Sequence, residues 1–205
     1  METTDSALAL RAASGDRAAF EALVKAHEKS IYTLAFRMSR NREDAFDLSQ
    51  EVFLRAYRAL SGFKGQSAFS TWLYRLAYNL CLDHVRKMSR RQEVPLSTKT
   101  EDGTEKSMEW PDLRYSPESN WEKQELRAAI ADAMERLTPE QRAVLTLREI
   151  QSLSYDEIGE VLALPAGTVK SRLARAREAL RVILLSKGNF FEPESSNPNE
   201  GGESP

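Results

Sequence analysis

The 205-residue chain is predicted to be all-α, with two small helical domains joined by a flexible polar linker. Three observations predict this. Apolar residues recur at three- and four-residue spacing through roughly the first 90 positions and again from about 121 to 188. Residues that favour helix starts stand where these repeats begin: Asp16, Asn41, Thr138 and Ser154. Between the two blocks, residues 92–120 hold Pro95, Gly103, Pro111, Pro117 and acidic pairs, with no lasting periodicity.

Asp5 or Ser6 is expected to cap a short first helix ending near Ala13. Ser14-Gly15-Asp16 breaks it, and Asp16 caps a second helix over Arg17 to Arg40. Phe20, Leu23, Val24, His27, Ile31, Leu34 and Met38 form its apolar stripe, which makes His27 a core or boundary residue. Asn41 caps a third helix, Arg42 to Leu60. Asp44, Asp47 and Glu51 share one side of it with Gln50. Carboxylates at a helix start match the dipole in any protein, and they also suit docking of a basic partner helix; composition does not choose between these.

Ser61 to Ser67 is a glycine-containing loop without P-loop spacing, which excludes nucleotide hydrolysis on that basis. A fourth helix is expected from Ala68 to Arg90. Phe69, Trp72, Leu73, Leu76, Leu80 and His84 lie toward one side, and Thr71, Arg75, Tyr78, Asn79, Leu82 and Arg86 toward the other. The second set reads either as a solvated edge or as a surface for unstacked bases, with an exposed aromatic between arginines and beside an Asn. Cys81 and His84 read as buried or boundary residues, because one Cys and two His are too few for a closed zinc site without carboxylates.

After the linker, a fifth helix is expected over Trp121 to Leu137. Thr138-Pro139-Glu140-Gln141 opens a sixth, to Ile150, with Val144, Leu145, Leu147 and Ile150 buried. Ser154 and Glu157 form a capping box for a short helix from Tyr155. Leu164-Pro165-Ala166-Gly167 makes a turn, and a last helix follows with Val169, Leu173, Ala176 and Leu180 inward. This is a helix-turn-helix, whose second helix can enter the DNA major groove. On that helix Ser171, Ala174, Arg175 and Glu178 point away from the stripe, and Thr168, Lys170, Arg172, Arg177 and Arg181 flank it. Small outward side chains let the backbone approach, an Arg can reach a guanine edge, and flanking cations hold phosphates.

The net charge of -2 conceals a partition. Residues 1–95 carry +4, 96–120 carry -3, 121–188 carry +1 and the Pro/Ser/Glu/Gly-rich tail 189–205 carries -4. A chain so balanced is expected to bind DNA weakly alone and to need a larger partner that supplies more phosphate contact. The N-terminus lacks the basic segment of a signal peptide, no apolar run is long enough to span a membrane, and the single Cys fits a reducing cytoplasm. No nucleophile, metal cluster or phosphate loop supports an enzyme, and no cofactor is implied. A response regulator also ends in a helix-turn-helix, but it would need alternating strands and helices before it.

Asp47-Leu48-Ser49-Gln50-Glu51-Val52-Phe53, then Phe63-Lys64-Gly65-Gln66-Ser67-Ala68-Phe69-Ser70-Thr71-Trp72-Leu73-Tyr74-Arg75 with Leu76-Ala77-Tyr78-Asn79, then Leu137-Thr138-Pro139-Glu140-Gln141-Arg142 and Gly167-Thr168-Val169-Lys170-Ser171-Arg172-Leu173-Ala174-Arg175-Ala176-Arg177 resemble, in family order, the motifs of extracytoplasmic-function sigma factors. These are bacterial transcription initiation factors of the sigma-70 family, several of which serve stress responses. The resemblance implies region 2 at 1–91, a linker at 92–120, region 4 at 121–188 and a disordered acidic tail at 189–205. It implies that Asp47, Gln50, Glu51 and Phe53 bind core RNA polymerase. Phe63, Lys64, Arg75, Tyr78, Asn79 and Arg86 would bind the melted minus-ten element, with the Ser61–Ser67 loop and Asn79 holding a flipped base. Thr168, Lys170, Ser171, Arg172, Arg175 and Arg177 would bind the minus-thirty-five element. Implied partners are the polymerase beta-prime coiled coil and beta flap, promoter DNA and an anti-sigma protein, with no direct membrane insertion and a cytoplasmic location.

Overall fold

The computed structural model describes residues 2–92 and 121–186, and in these it is helical. Apart from Gln92, the expected linker lies outside the described residues, as does the expected acidic tail. Four helices fill the first block: α1 (Glu2–Ala13), α2 (Arg17–Ser39), α3 (Arg42–Ala59) and α4 (Phe69–Gln92). Four fill the second: α5 (Trp121–Glu135), α6 (Pro139–Leu145), α7 (Tyr155–Leu162) and α8 (Ala166–Ser186). No strand is present among the described residues, which removes the response-regulator alternative.

The helix starts follow local chemistry. The Asp16 side chain accepts from Ala19 N–H, and that of Asn41 accepts from Glu43 and Asp44 N–H. Thr138 with Gln141, and Ser154 with Glu157, form complete capping boxes. The Asp16 cap and the Arg11 guanidinium beside it lower the Asp16 carboxyl pKa. The first helix differs from expectation. It already runs from Glu2, and Asp5 does not cap it; the Asp5 carboxylate instead meets His27 Nε2 at 2.9 Å, tying α1 to α2. His27 is buried, as its place in the stripe required.

α2, α3 and α4 pack as a bundle, with α1 laid across α2 and α4. Leu23, Ile31, Leu34, Phe69 and Leu73 are fully enclosed within it. In the second block α8 packs on α5, α6 and α7 around Val144, Leu147, Ile158 and Leu173. Burial of each such side chain contributes about 1.5–3 kcal/mol. The two blocks also touch, along α4 with α7 and α2 with α6, so that their buried residues run into one cluster.

The sixth helix departs from its expected course. After Leu145 it widens into a π turn over Thr146–Ile150, closed by Gln151 N–H donating to the Thr146 carbonyl at 3.0 Å. The wider turn carries Ile150 outward, 43% exposed, instead of into the core. Between α7 and α8 the chain turns through Ala163, which takes the left-handed conformation at φ 53°. Gly159 makes room for this turn: a Cβ there would lie 2.7 Å from the Leu164 carbonyl oxygen.

Candidate nucleic-acid and polymerase interface

Three separate surfaces gather the residues singled out in the sequence. The first is on α3. Asp47 and Gln50 are exposed, Glu51 is half-exposed and Phe53 rests partly buried against the bundle core. Glu51 accepts from Arg55 at 2.7 Å, one turn along. Leu54, missed in the sequence reading, is 52% exposed. Its apolar side chain lies one turn beyond Gln50, giving the carboxylate face a hydrophobic neighbour. Asp44 is turned away from this set, 3.3 Å from His84 of α4.

The second surface surrounds the loop before α4. A cavity of about 290 Å³ opens there, walled by Gly62, Phe63, Lys64, Gln66, Ser67, Trp72 and Arg75. Leu60–Gly62 forms a 3-10 turn that directs Phe63 inward, and Gly65 holds φ at 67°, which lets the loop fold back. Phe63, Phe69 and Trp72 pack on one another with ring centroids 5.4–5.8 Å apart, which makes the apolar wall rigid. Trp72, placed by the sequence on the side of Phe69 and Leu73, therefore also borders open space. Arg75 is exposed at the cavity, Asn79 is exposed one turn further on, and Arg86 continues that face.

Tyr78 does not join this exposed set. The expected exposed aromatic is 7% exposed, and Thr71 is buried beside it. Burial raises the Tyr78 pKa; Glu140 adds to this, while Arg172 and Arg86 oppose it. Glu140 and Arg172 belong to α6 and α8, so charges of the second block lie near Tyr78.

The third surface is α8. Lys170, Ser171, Ala174, Arg175 and Glu178 are exposed, Thr168 and Arg172 half-buried, and Val169, Leu173 and Ala176 buried, as the periodicity required. Leu180 is only partly buried, and Leu184 completes the inner stripe. Arg175 leans back on its own helix, with Nε donating to the Ser171 carbonyl at 3.3 Å. Arg177 is paired with Glu149, whose hydrogen bond raises the guanidinium pKa. Arg181 is paired with Glu178. The arrangement offers a cationic helix face, a small amphipathic cavity and an acidic helix face. No described residues cluster as a metal site.

Comparison with known proteins follows the same division. The family model described as Sigma-70 region 2 matches residues 23–91, and that described as Sigma-70, region 4 matches 127–180. The RNA polymerase sigma-H factor of Pseudomonas aeruginosa is 38% identical over 177 residues, covering 86% of this chain and 91% of the relative. The ECF RNA polymerase sigma-E factor of Escherichia coli K12 is 38% identical over 181 residues, covering 87% and 93%. Among solved structures, CnrH in complex with the cytosolic domain of CnrY aligns with a TM-score of 0.66 at 26% identity, covering 90% of this chain and 99% of that one.

Proposed function

The chain belongs to the extracytoplasmic-function class of sigma-70 factors, and from that premise we propose how its surfaces divide the work of promoter-specific transcription initiation. The α3 face of Asp47, Gln50, Glu51, Phe53 and Leu54 docks core polymerase through the beta-prime coiled coil, and the C-terminal block takes the beta flap. The cavity before α4 receives one base flipped from the melted minus-ten strand. Phe63 and Trp72 brace the ring, Lys64 and Arg75 neutralise flanking phosphates, and Asn79 reads a base edge. Arg86 extends the phosphate track. On α8, Ser171 and Arg175 face the major groove of the minus-thirty-five element, with Thr168, Lys170, Arg172 and Arg177 at its borders.

Strand separation follows from selection. A cavity sized for one extruded base binds open DNA and not duplex, so it shifts the equilibrium toward the melted form. The observation that supports this most is the 290 Å³ cavity bordered by Arg75, with Asn79 exposed one turn away. We infer work in the cytoplasm beside polymerase; no helix among the described residues is long and apolar enough to cross a membrane. CnrH was solved with the cytosolic domain of CnrY, and we infer a protein partner of that kind, an anti-sigma factor, for this chain. Transcription in vitro with core polymerase on a promoter library tests the reading. The expected result is a set of transcripts sharing two upstream elements, and transcripts no different from core polymerase alone would reject it.

A further inference from the structure

Where α6 meets the end of α2, the chain buries a cation with spare donors. Arg142 of α6 is 3% exposed, and its Nε and Nη1 have no hydrogen-bond partner. Thr146 follows one turn later on the same side of the helix; it is fully buried, and its Oγ1 is also without a partner. Arg142 borders a cleft of about 10 Å³ that it shares with Phe36, Arg37 and Arg40 from the end of α2 and Met134 and Glu135 from the end of α5. Arg142 is the buried wall of this cleft, Arg37 is half-buried and Arg40 is exposed. The spacing is fixed from both sides. Arg40 donates to the Glu135 carbonyl at 3.1 Å. Further along α2, Gln151 donates through Nε2 to the Ser30 carbonyl at 3.2 Å while its Oε1 accepts from Tyr74 Oη at 2.8 Å.

Three guanidiniums thus share the cleft with one carboxylate. Burial, and after it Arg40, lowers the Arg142 pKa to about 10, against the pull of Glu135 and Glu140. The guanidinium therefore stays charged at neutral pH. Glu135 and Glu140 are both exposed, so solvent screens them more than it screens the buried cation. A buried charge with unused donors costs free energy until a partner meets it. Chemistry and size narrow that partner. Guanidiniums supply donors and no acceptor, so a bridging water would turn its own hydrogens toward cations, and an anion would not. A space of about 10 Å³ holds one water-sized or monatomic species and is too small to enclose phosphate or a carboxylate.

We propose that the cleft between α2, α5 and α6 is a halide site, filled by chloride, with Arg142 as its buried ligand and Arg37 and Arg40 as flanking cations. The ion supplies the counter-charge that the buried guanidinium otherwise lacks, and it joins α6 to the end of α2. An ion held by the folded chain and not by the unfolded one stabilises the fold in proportion to the logarithm of its concentration. The site does not depend on how the chain meets DNA, so it stands or falls apart from the promoter reading.

The test uses the full chain in sodium gluconate, an anion too large for the cleft, with sodium chloride replacing it at constant ionic strength. Urea unfolding is followed by circular dichroism. Beyond half-saturation, the unfolding constant is expected to fall about tenfold for each tenfold rise in chloride. The chloride NMR line should broaden with the folded chain and sharpen again when urea unfolds it. Arg142→Met should abolish both responses. In gluconate alone that variant should be more stable than the unsubstituted chain, because its unpartnered donors are gone. Equal stability of the unsubstituted chain in gluconate and in chloride overturns the site, and so does an Arg142→Met chain that responds to chloride undiminished. Should Arg142→Met fail to fold, Arg40→Gln at the exposed edge decides: a raised half-saturating chloride concentration supports the site, and an unchanged one overturns it.

Discussion

Arg177 of α8 is held by Glu149 across the helix-turn-helix, through Nε at 3.1 Å and Nη2 at 2.6 Å, both to the same carboxylate oxygen. Arg175, two residues earlier on the outward face, touches only its own helix. The two arginines should therefore differ in what they add to DNA binding. Arg175→Ala should weaken binding to the upstream element by roughly 1–3 kcal/mol if its contact is bidentate to guanine. Arg177→Ala should cost less, because an exposed pair worth about 0.2–1 kcal/mol must be broken first. Glu149→Gln should tighten binding slightly. Anisotropy of an upstream duplex with the polymerase complex, at two salt concentrations, measures all three; equal losses for both arginines would contradict the pairing argument.

Asn79 and Arg175 sit on different surfaces, so their loss should separate two steps. Asn79→Ala should reduce open-complex formation, read by permanganate reactivity of unpaired thymines, by about tenfold or more if it reads a base edge. Core binding and upstream binding should stay unchanged. A variant that opens promoters normally would remove Asn79 from the base-reading set.

Gly159→Ala should damage the C-terminal block selectively. The added Cβ would stand 2.7 Å from a backbone oxygen, Leu164 O, and not from the end of a flexible side chain. Forced backbone shifts of this kind cost about 1–3 kcal/mol. The expected result is a lower thermal midpoint and weak upstream binding, with docking through the α3 face kept. An unshifted midpoint would show that the turn has slack.

Cys81 should report unfolding. Burial pushes its thiol from an ordinary value of 9.0 up to about 12. Because the folded value lies above the unfolded one, the contribution to stability is complete below pH 9 and is lost as pH rises toward 12. At pH 9 a disulfide reagent should label the urea-unfolded chain quickly and the native chain slowly. Rapid native labelling would mean that α4 is open at this position.

Arg142→Met should stabilise the folded chain. It removes two buried donors without partners while keeping an unbranched apolar stem. A gain of about 1–3 kcal/mol is expected in the urea midpoint analysis. Destabilisation would show that the guanidinium has a role in the fold.

Local chemistry made much of this legible. Asp16, Asn41, Thr138 and Ser154 cap where their side chains can reach the next turn's N–H groups, and that depends on three or four neighbouring residues alone. The outward face of α8 was equally readable, because Val169, Leu173 and Ala176 fix its rotation. The burial of Tyr78 was not, since Glu140 and Arg172 approach it from far along the chain. Asp5 looked like a cap and serves His27 instead, a choice made by tertiary packing. Nothing near Gln151 or Gly159 marked them, because one acts across the two blocks and the other by lacking a side chain.

The five-residue turn at Thr146–Ile150 places Gln151 by holding one residue more than an α-helical turn would. Loss of a single codon there would let the ordinary helix resume and swing the following amide by roughly 100°. The hydrogen bonds of the Gln151 amide with Tyr74 Oη and the Ser30 carbonyl would then be lost. Insertion and deletion at this one bend thus offer a lineage a way to alter how firmly the two blocks are joined, without touching any residue proposed to meet a promoter.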